Sequence, residues 1–121
     1  MIVLPNDHGP CICQTFDHMP NNEEFLLISD IFKQLADPTR IRIFWLLCHC
    51  ESCVLHLSSL MGMSSPAVSH HLKQLRAAGL IVSRRDGKEV YYKAADSQQT
   101  KLLHDMIKQI VHLTCPDHCQ P

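Results

Sequence analysis

Seven cysteines and nine histidines in 121 residues set the chemistry open to this chain. They fall into groups. Cys11 and Cys13 lie close to Asp7, His8, Asp17 and His18, and Cys48-His49-Cys50 is followed at once by Cys53 and His56. The terminal TCPDHCQP carries Cys115, His118 and Cys119. An odd number of cysteines cannot close into a complete disulfide framework, and thiols kept beside imidazoles suit metal binding or redox sensing. The plain alternative is that several cysteines are small buried hydrophobes. The elements that carry them have to decide.

The most informative of those elements is Ser64 to Gly79, SSPAVSHHLKQLRAAG. Val68, Leu72 and Leu75 recur at i, i+4 and i+7, one face of a helical period. Ser64 is placed as an N-cap, Pro66 in the first turn, and Gly79 just past the last periodic residue. Off the apolar face lie Ser65, Ser69, His70, Lys73, Gln74 and Arg76, all able to meet phosphates or base edges. A short helix from Ser52 or Cys53, carrying Val54, Leu57 and Leu60 and closed by Gly62, is expected before it. Short helix, glycine-containing turn and polar-faced helix make a helix-turn-helix pattern.

After it, Leu80–Arg84 and Glu89–Lys93 read as strands around Asp86-Gly87, a hairpin-turn dipeptide. Arg84, Arg85 and Lys88 cluster at the tip, so the hairpin reads as the wing of a winged-helix domain. Upstream, Phe25, Ile28, Phe32 and Leu35 mark a helix over 22–35, with Glu23 and Glu24 suited to its N-terminal dipole. Asp37-Pro38 caps and opens a second, expected to bury Ile41, Phe44, Trp45 and Leu47 or close neighbours. Asp96 is expected to cap a last helix from about Ser97 to Leu113, whose wide apolar stripe is assigned in part to a dimer interface. The expected architecture is mainly α with a β-hairpin wing: a homodimeric winged helix-turn-helix, α-α-α-α-β-β-α. Residues 1–21, which contain Pro5, Gly9, Pro10 and Pro20 and lack periodicity, read as a flexible Cys/His-containing arm. Residues 22–113 form the DNA-binding and dimerisation domain, and 114–121 a Cys/His-containing tail.

Net charge is −1, which by itself argues against generic nucleic-acid binding. Its distribution argues otherwise. Residues 1–37 hold six acidic side chains and one basic one, whereas 70–93 hold six Lys/Arg against Asp86 and Glu89. A positive region on a near-neutral chain is the footprint of a DNA binder that must also let go. No run approaches the roughly 18 apolar residues of a membrane helix, and MIVLPNDHG has neither the basic flank nor the apolar block of a signal peptide. A cytoplasmic protein with no membrane partner is expected. No Cys-x-x-Cys follows a strand and no βαβ pattern appears, so a thiol oxidoreductase is not indicated and no enzyme is expected.

In this order, QLADPTRIRIFWLL, CVLHLSSLMGMSSPAVSHHLKQLRAAGLIVSRRDGKEVYYKA and the amphipathic C-terminal helix resemble the ArsR/SmtB family of winged-helix metal-sensing repressors. The resemblance covers roughly residues 25–113. It implies a homodimeric repressor that holds operator DNA, an imperfect palindrome, in the apo form and leaves it when metal binds. It places Ser65, Ser69, His70, Lys73 and Gln74 on the DNA-facing surface, and Arg84, Arg85, Gly87 and Lys88 in the wing.

The resemblance also implies a sensing site that joins the arm of one protomer to the helix after Cys53 of the other. Cys53-Val54-Leu55-His56 stands at the matching positions, and i, i+3 donors on a helix share a face. With Cys11 and Cys13 they would form a closed Cys₃His site for zinc, Cd²⁺ or Pb²⁺. Cys48 and Cys50 offer a substitute thiol, or a three-thiolate site for As(III) or Cu(I). The family's second site, on paired C-terminal helices, falls here on Asp96, Gln98, Gln109 and His112, and two glutamines are poor ligands. His104 and His112 with Asp105, and the tail's Cys115, His118 and Cys119, are the lesser candidates. The rival reading is a thiol-based redox-sensing repressor of the same fold, with no metal effector.

Overall fold

The computed structural model describes residues 10–114, which divide into two units between Phe32 and Lys33. In the first unit α1 spans Pro10–Asp17 and α2 begins at Asn22, running to Gln34. The expected irregular arm is therefore helical over Pro10–Asp17. Pro10 pre-sets the φ of the first helical residue, and Thr15 Oγ1 donates back to the Cys11 carbonyl at 2.9 Å. So short a helix cannot show an apolar period. The start of α2 is a reciprocal cap. Glu24 N donates to Asn21 Oδ1 at 2.8 Å, and Asn21 N donates to Glu24 Oε1 at 3.0 Å. No residue of α2 is buried, and Leu26 and Leu27 are 70% and 69% exposed.

The second unit holds α3 (Pro38–His49), β1 (Ser52–Cys53), α4 (Val54–Met61), α5 (Ser65–Ala77), β2 (Ile81–Asp86), β3 (Glu89–Ala94) and α6 (Gln98–Thr114). Asp37 caps α3 through Oδ2, which accepts from Arg40 N at 3.1 Å, and Pro38 opens the helix. Phe44 and Leu47 are buried as expected, with the neighbouring Ile43, while Ile41 and Trp45 are only half-buried. The core continues through Leu57, Val68, Leu72, Leu75, Leu80, Ile81 and Leu103.

Helix α5 ends in a Schellman turn. Leu80 N donates to Leu75 O at 3.0 Å and Gly79 N to Arg76 O at 3.0 Å, with Gly79 at φ +76°. Both Leu75 and Leu80 are fully buried, which locks the chain's exit from α5 onto the core. The hairpin turns one residue later than Asp86-Gly87 suggests. Asp86 pairs with Glu89, leaving Gly87-Lys88 as the loop, and positive φ at Gly87 alone matches a type II′ turn.

Two local expectations are refined. Ser52 and Cys53 precede the first turn of α4, with Cys53 as its N-cap, and add a third strand to the sheet, order β1-β3-β2, with Ser52 opposite Tyr92 and Cys53 opposite Tyr91. Two residues cannot display a strand period. At α6 the cap is Ser97, whose Oγ accepts from Thr100 N at 3.1 Å, whereas Asp96 pairs with Lys101 Nζ at 3.4 Å. Among the described residues no helix is long and apolar enough to cross a membrane.

Candidate functional site

The helix-turn-helix is α4 and α5. Their polar sides meet where Ser58 Oγ and Ser65 Oγ lie 3.2 Å apart. Burial of Val68, Leu72 and Leu75 turns Ser65, Ser69, His70, Lys73 and Arg76 outward, while Gln74 is half-buried. Ser64 Oγ accepts from Ala67 N at 3.3 Å and fixes where the polar face begins. Between α5 and β3 runs an open cleft of about 530 Å³, lined by Ser69, Leu72, Lys73, Arg76, Ala77 and Tyr92. Two cations with a hydroxyl and a phenol beside them suit a phosphate backbone. Tyr92 is the member that sequence reasoning missed. Strand alternation showed it as a hairpin residue, and nothing local placed it against Lys73 and Arg76.

The wing separates its cations. Arg84, Arg85, Gly87 and Lys88 are all exposed, but Arg84 is committed elsewhere. Its Nε and Nη2 reach Glu51 Oε2 and Oε1 at 2.9 and 2.6 Å, and its guanidinium lies over the Tyr91 ring, 4.9 Å from the centroid. This pairing holds the Glu51 carboxyl below its ordinary range and the Arg84 charge firmly in place. Among the described residues no carboxylate forms an ion pair with Arg85 or Lys88.

Adjacent histidines on α5 have different surroundings, because neighbours on a helix point about 100° apart. His70 is exposed. His71 faces inward, accepting from Arg40 Nε at 3.2 Å through Nδ1, which also lies 3.5 Å from Asp37 Oδ2. Arg40 Nη1 in turn reaches Gln34 Oε1 at 2.7 Å. The network pins the start of α3 to the middle of α5. Burial lowers the His71 pKa against the opposing pull of Asp37.

The metal-ligand candidates are scattered. On α1, Cys11 is exposed and Cys13 is buried, as i, i+2 positions on a helix must diverge. In this conformation the pair cannot grip one ion together. Cys53 lies at the N-cap of α4, in β1, with no side-chain capping bond, and His56 follows at N3, exposed. N-cap and N3 side chains share one side of a helix start, so these two suit a common ion. Cys48 is half-buried and desolvation pushes its thiol up to about 11, which makes it a poor thiolate donor; Cys50, the C-cap of α3, is exposed. His104 Nε2 lies 3.0 Å from His49 Nε2. Among the described residues no three His, Cys, Asp or Glu side chains come together to hold a metal ion. Cys115, His118 and Cys119 lie outside the described residues.

A helix-turn-helix with a cationic outer face, followed directly by a basic hairpin, defines a winged helix-turn-helix regulator. Residues 37–83 match the family model described as "Bacterial regulatory protein, arsR family". The chain is 33% identical over 106 residues to the HTH-type transcriptional regulator KmtR of Mycobacterium tuberculosis, an alignment covering 88% of this chain and 76% of that one. It is 44% identical over 70 residues to the arsenical resistance operon repressor of Escherichia coli, covering 57% and 60%. Among solved structures, HlyU from Vibrio cholerae superposes with a TM-score of 0.69 at 26% identity, over 83% of this chain and all of that one. The chain belongs to the ArsR family of bacterial regulatory proteins.

Proposed function

We propose that this protein is a cytoplasmic, homodimeric repressor that binds operator DNA, an imperfect palindrome, and is released from it by a thiophilic metal ion. The observation that carries the reading is the outward display of Ser65, Ser69, His70 and Lys73 on a helix whose other face is wholly buried, beside the wing cations Arg85 and Lys88. Gln74, Arg84 and Gly87 complete the interface as supporting positions. Two copies related by a two-fold would present two such helices to successive major grooves about 34 Å apart. Residues 22–113 serve as the DNA-binding and dimerisation domain, with 1–21 and 114–121 as Cys/His-bearing extensions.

The regulatory ligands are Cys53 and His56, joined by arm thiols Cys11 and Cys13 from the other protomer. Cys53 supports this reading because its side chain makes no capping bond. Only one of Cys11 and Cys13 can join unless α1 unwinds. With both arm thiols engaged, a bound Zn²⁺, Cd²⁺ or Pb²⁺ would supply a closed tetrahedral tie between protomers. Cys53 then acts as lever as well as ligand, since β1 pairs with β3 of the wing and α4 leads directly into α5. A coupling of about 1–3 kcal/mol would lower DNA affinity roughly 5- to 150-fold.

Operator binding by the reduced, metal-free protein, followed by fluorescence anisotropy under anaerobic conditions, tests the proposal ion by ion. Zn²⁺, Cd²⁺, Pb²⁺, As(III) or Cu(I) should release the DNA, and Cys53→Ser should stay bound. Release by oxidant alone, with no ion effective, would favour the thiol-redox reading instead.

A further inference from the structure

The regulatory ligands proposed above leave unused the contact between His49 and His104. His49 is the last residue of α3 and His104 lies in the second turn of α6, 55 positions apart, yet their Nε2 atoms are 3.0 Å from each other. Trp45, one turn before His49, packs at a tilt against both rings, with centroids 4.8 Å from His49 and 4.7 Å from His104. The three rings form one surface cluster wholly inside the second unit.

Two imidazoles on one tetrahedral ion, each about 2.0–2.1 Å from it, have their nitrogens about 3.3 Å apart. The observed 3.0 Å separation is close to that spacing, so a small opening and turn of the rings would admit an ion between them. Imidazole suits borderline divalent ions such as Zn²⁺, Co²⁺, Ni²⁺ and Cu²⁺. The geometry points to a second metal site, His49 and His104 binding a borderline divalent ion within one protomer and tying α6 to α3, with solvent completing the shell. The site shares no residue with Cys11, Cys13, Cys53 and His56, and does not depend on their role.

Trp45 is the chain's single tryptophan and touches both rings, so its emission reports on this site. Co²⁺ titrated into reduced, metal-free, full-length protein should quench it. In His49→Gln or His104→Gln the quenching midpoint should rise at least about tenfold, the scale on which even an outer-shell change weakens a site. Cys53→Ser should quench as the wild type does, while losing any sulfur-to-cobalt charge-transfer band. If both Gln variants quench like wild type, or if Cys53→Ser abolishes quenching, the two-histidine site does not exist. Should a Gln variant fail to fold, zinc protection of both imidazoles against diethylpyrocarbonate in the wild-type protein decides the matter; unprotected rings overturn the proposal.

Discussion

Arg84 and Glu51, 33 positions apart, form a two-pronged ion pair that ties the wing strand β2 to the loop after α3. A guanidinium already gripping a carboxylate must give up those bonds before it can reach a phosphate. Under the proposed function, the wing's grip on DNA would therefore rest on Arg85 and Lys88. Arg85→Ala or Lys88→Ala should flatten the plot of log affinity against log salt by about 0.9 for each phosphate left without its cation. Arg84→Ala should flatten it much less. Anisotropy titrations across a salt series check the ranking, and an Arg84→Ala effect equal to that of Arg85→Ala would refute it.

Leu72 is buried in the face of α5 that turns the polar residues outward. Leu72→Ala should cost about 2–5 kcal/mol, the usual range for a buried leucine. Urea unfolding followed by circular dichroism measures the cost. DNA affinity at low temperature without denaturant should fall less than after Lys73→Ala, because the outer face is untouched.

His71 is held neutral by burial, with a folded pKa below its ordinary 6.5. As pH falls below 6.5 the unfolded chain takes up its proton before the folded one does. The stability contributed by neutral His71 is thus present above 6.5 and drains away towards the lowered folded value. His71→Gln should weaken this acid sensitivity, which urea midpoints at about pH 7.5 and about pH 5.5, on either side of the ordinary histidine range, would reveal. An unchanged difference between the two conditions would show that other groups carry it.

With its thiol pushed up to about 11 from 9.0, Cys48 holds about 100-fold less thiolate near neutral pH than an unperturbed thiol. Alkylation of the reduced, metal-free protein with iodoacetamide should reach exposed Cys11 and Cys50 well before Cys48. Peptide mass spectrometry over a time course gives the order directly.

On α6, Leu102 and Leu113 are 68% and 79% exposed and recur on one face with Ile110. A stripe of that kind on a regulator of this family is the expected dimer surface. Leu102→Asp with Leu113→Asp should give a folded monomer by light scattering and a severe loss of operator affinity. A dimer that survives both charges would move the interface elsewhere.

Where local signals were strong, sequence and structure agree in detail. Ser64, Pro66 and the Val68–Leu72–Leu75 period located α5 because a cap, a first-turn proline and one apolar face are all written within a single short stretch. Asp37-Pro38 did the same for α3. The basic tip of the hairpin was equally local, although strand pairing moved the turn itself to Gly87-Lys88.

What the sequence alone determined was therefore the helix-turn-helix, its wing and the family to which they belong, since each depends on spacings within one or two neighbouring elements. Only the tertiary structure decided which of the chemically able side chains meet. It committed Arg84 to Glu51, turned His71 inward beside Arg40, brought Tyr92 to the α5 cleft and set His49 against His104. It also parted Cys11 from Cys13 by making their segment a helix. Pairings across 31 to 55 positions depend on how whole elements pack, and no local period records that packing.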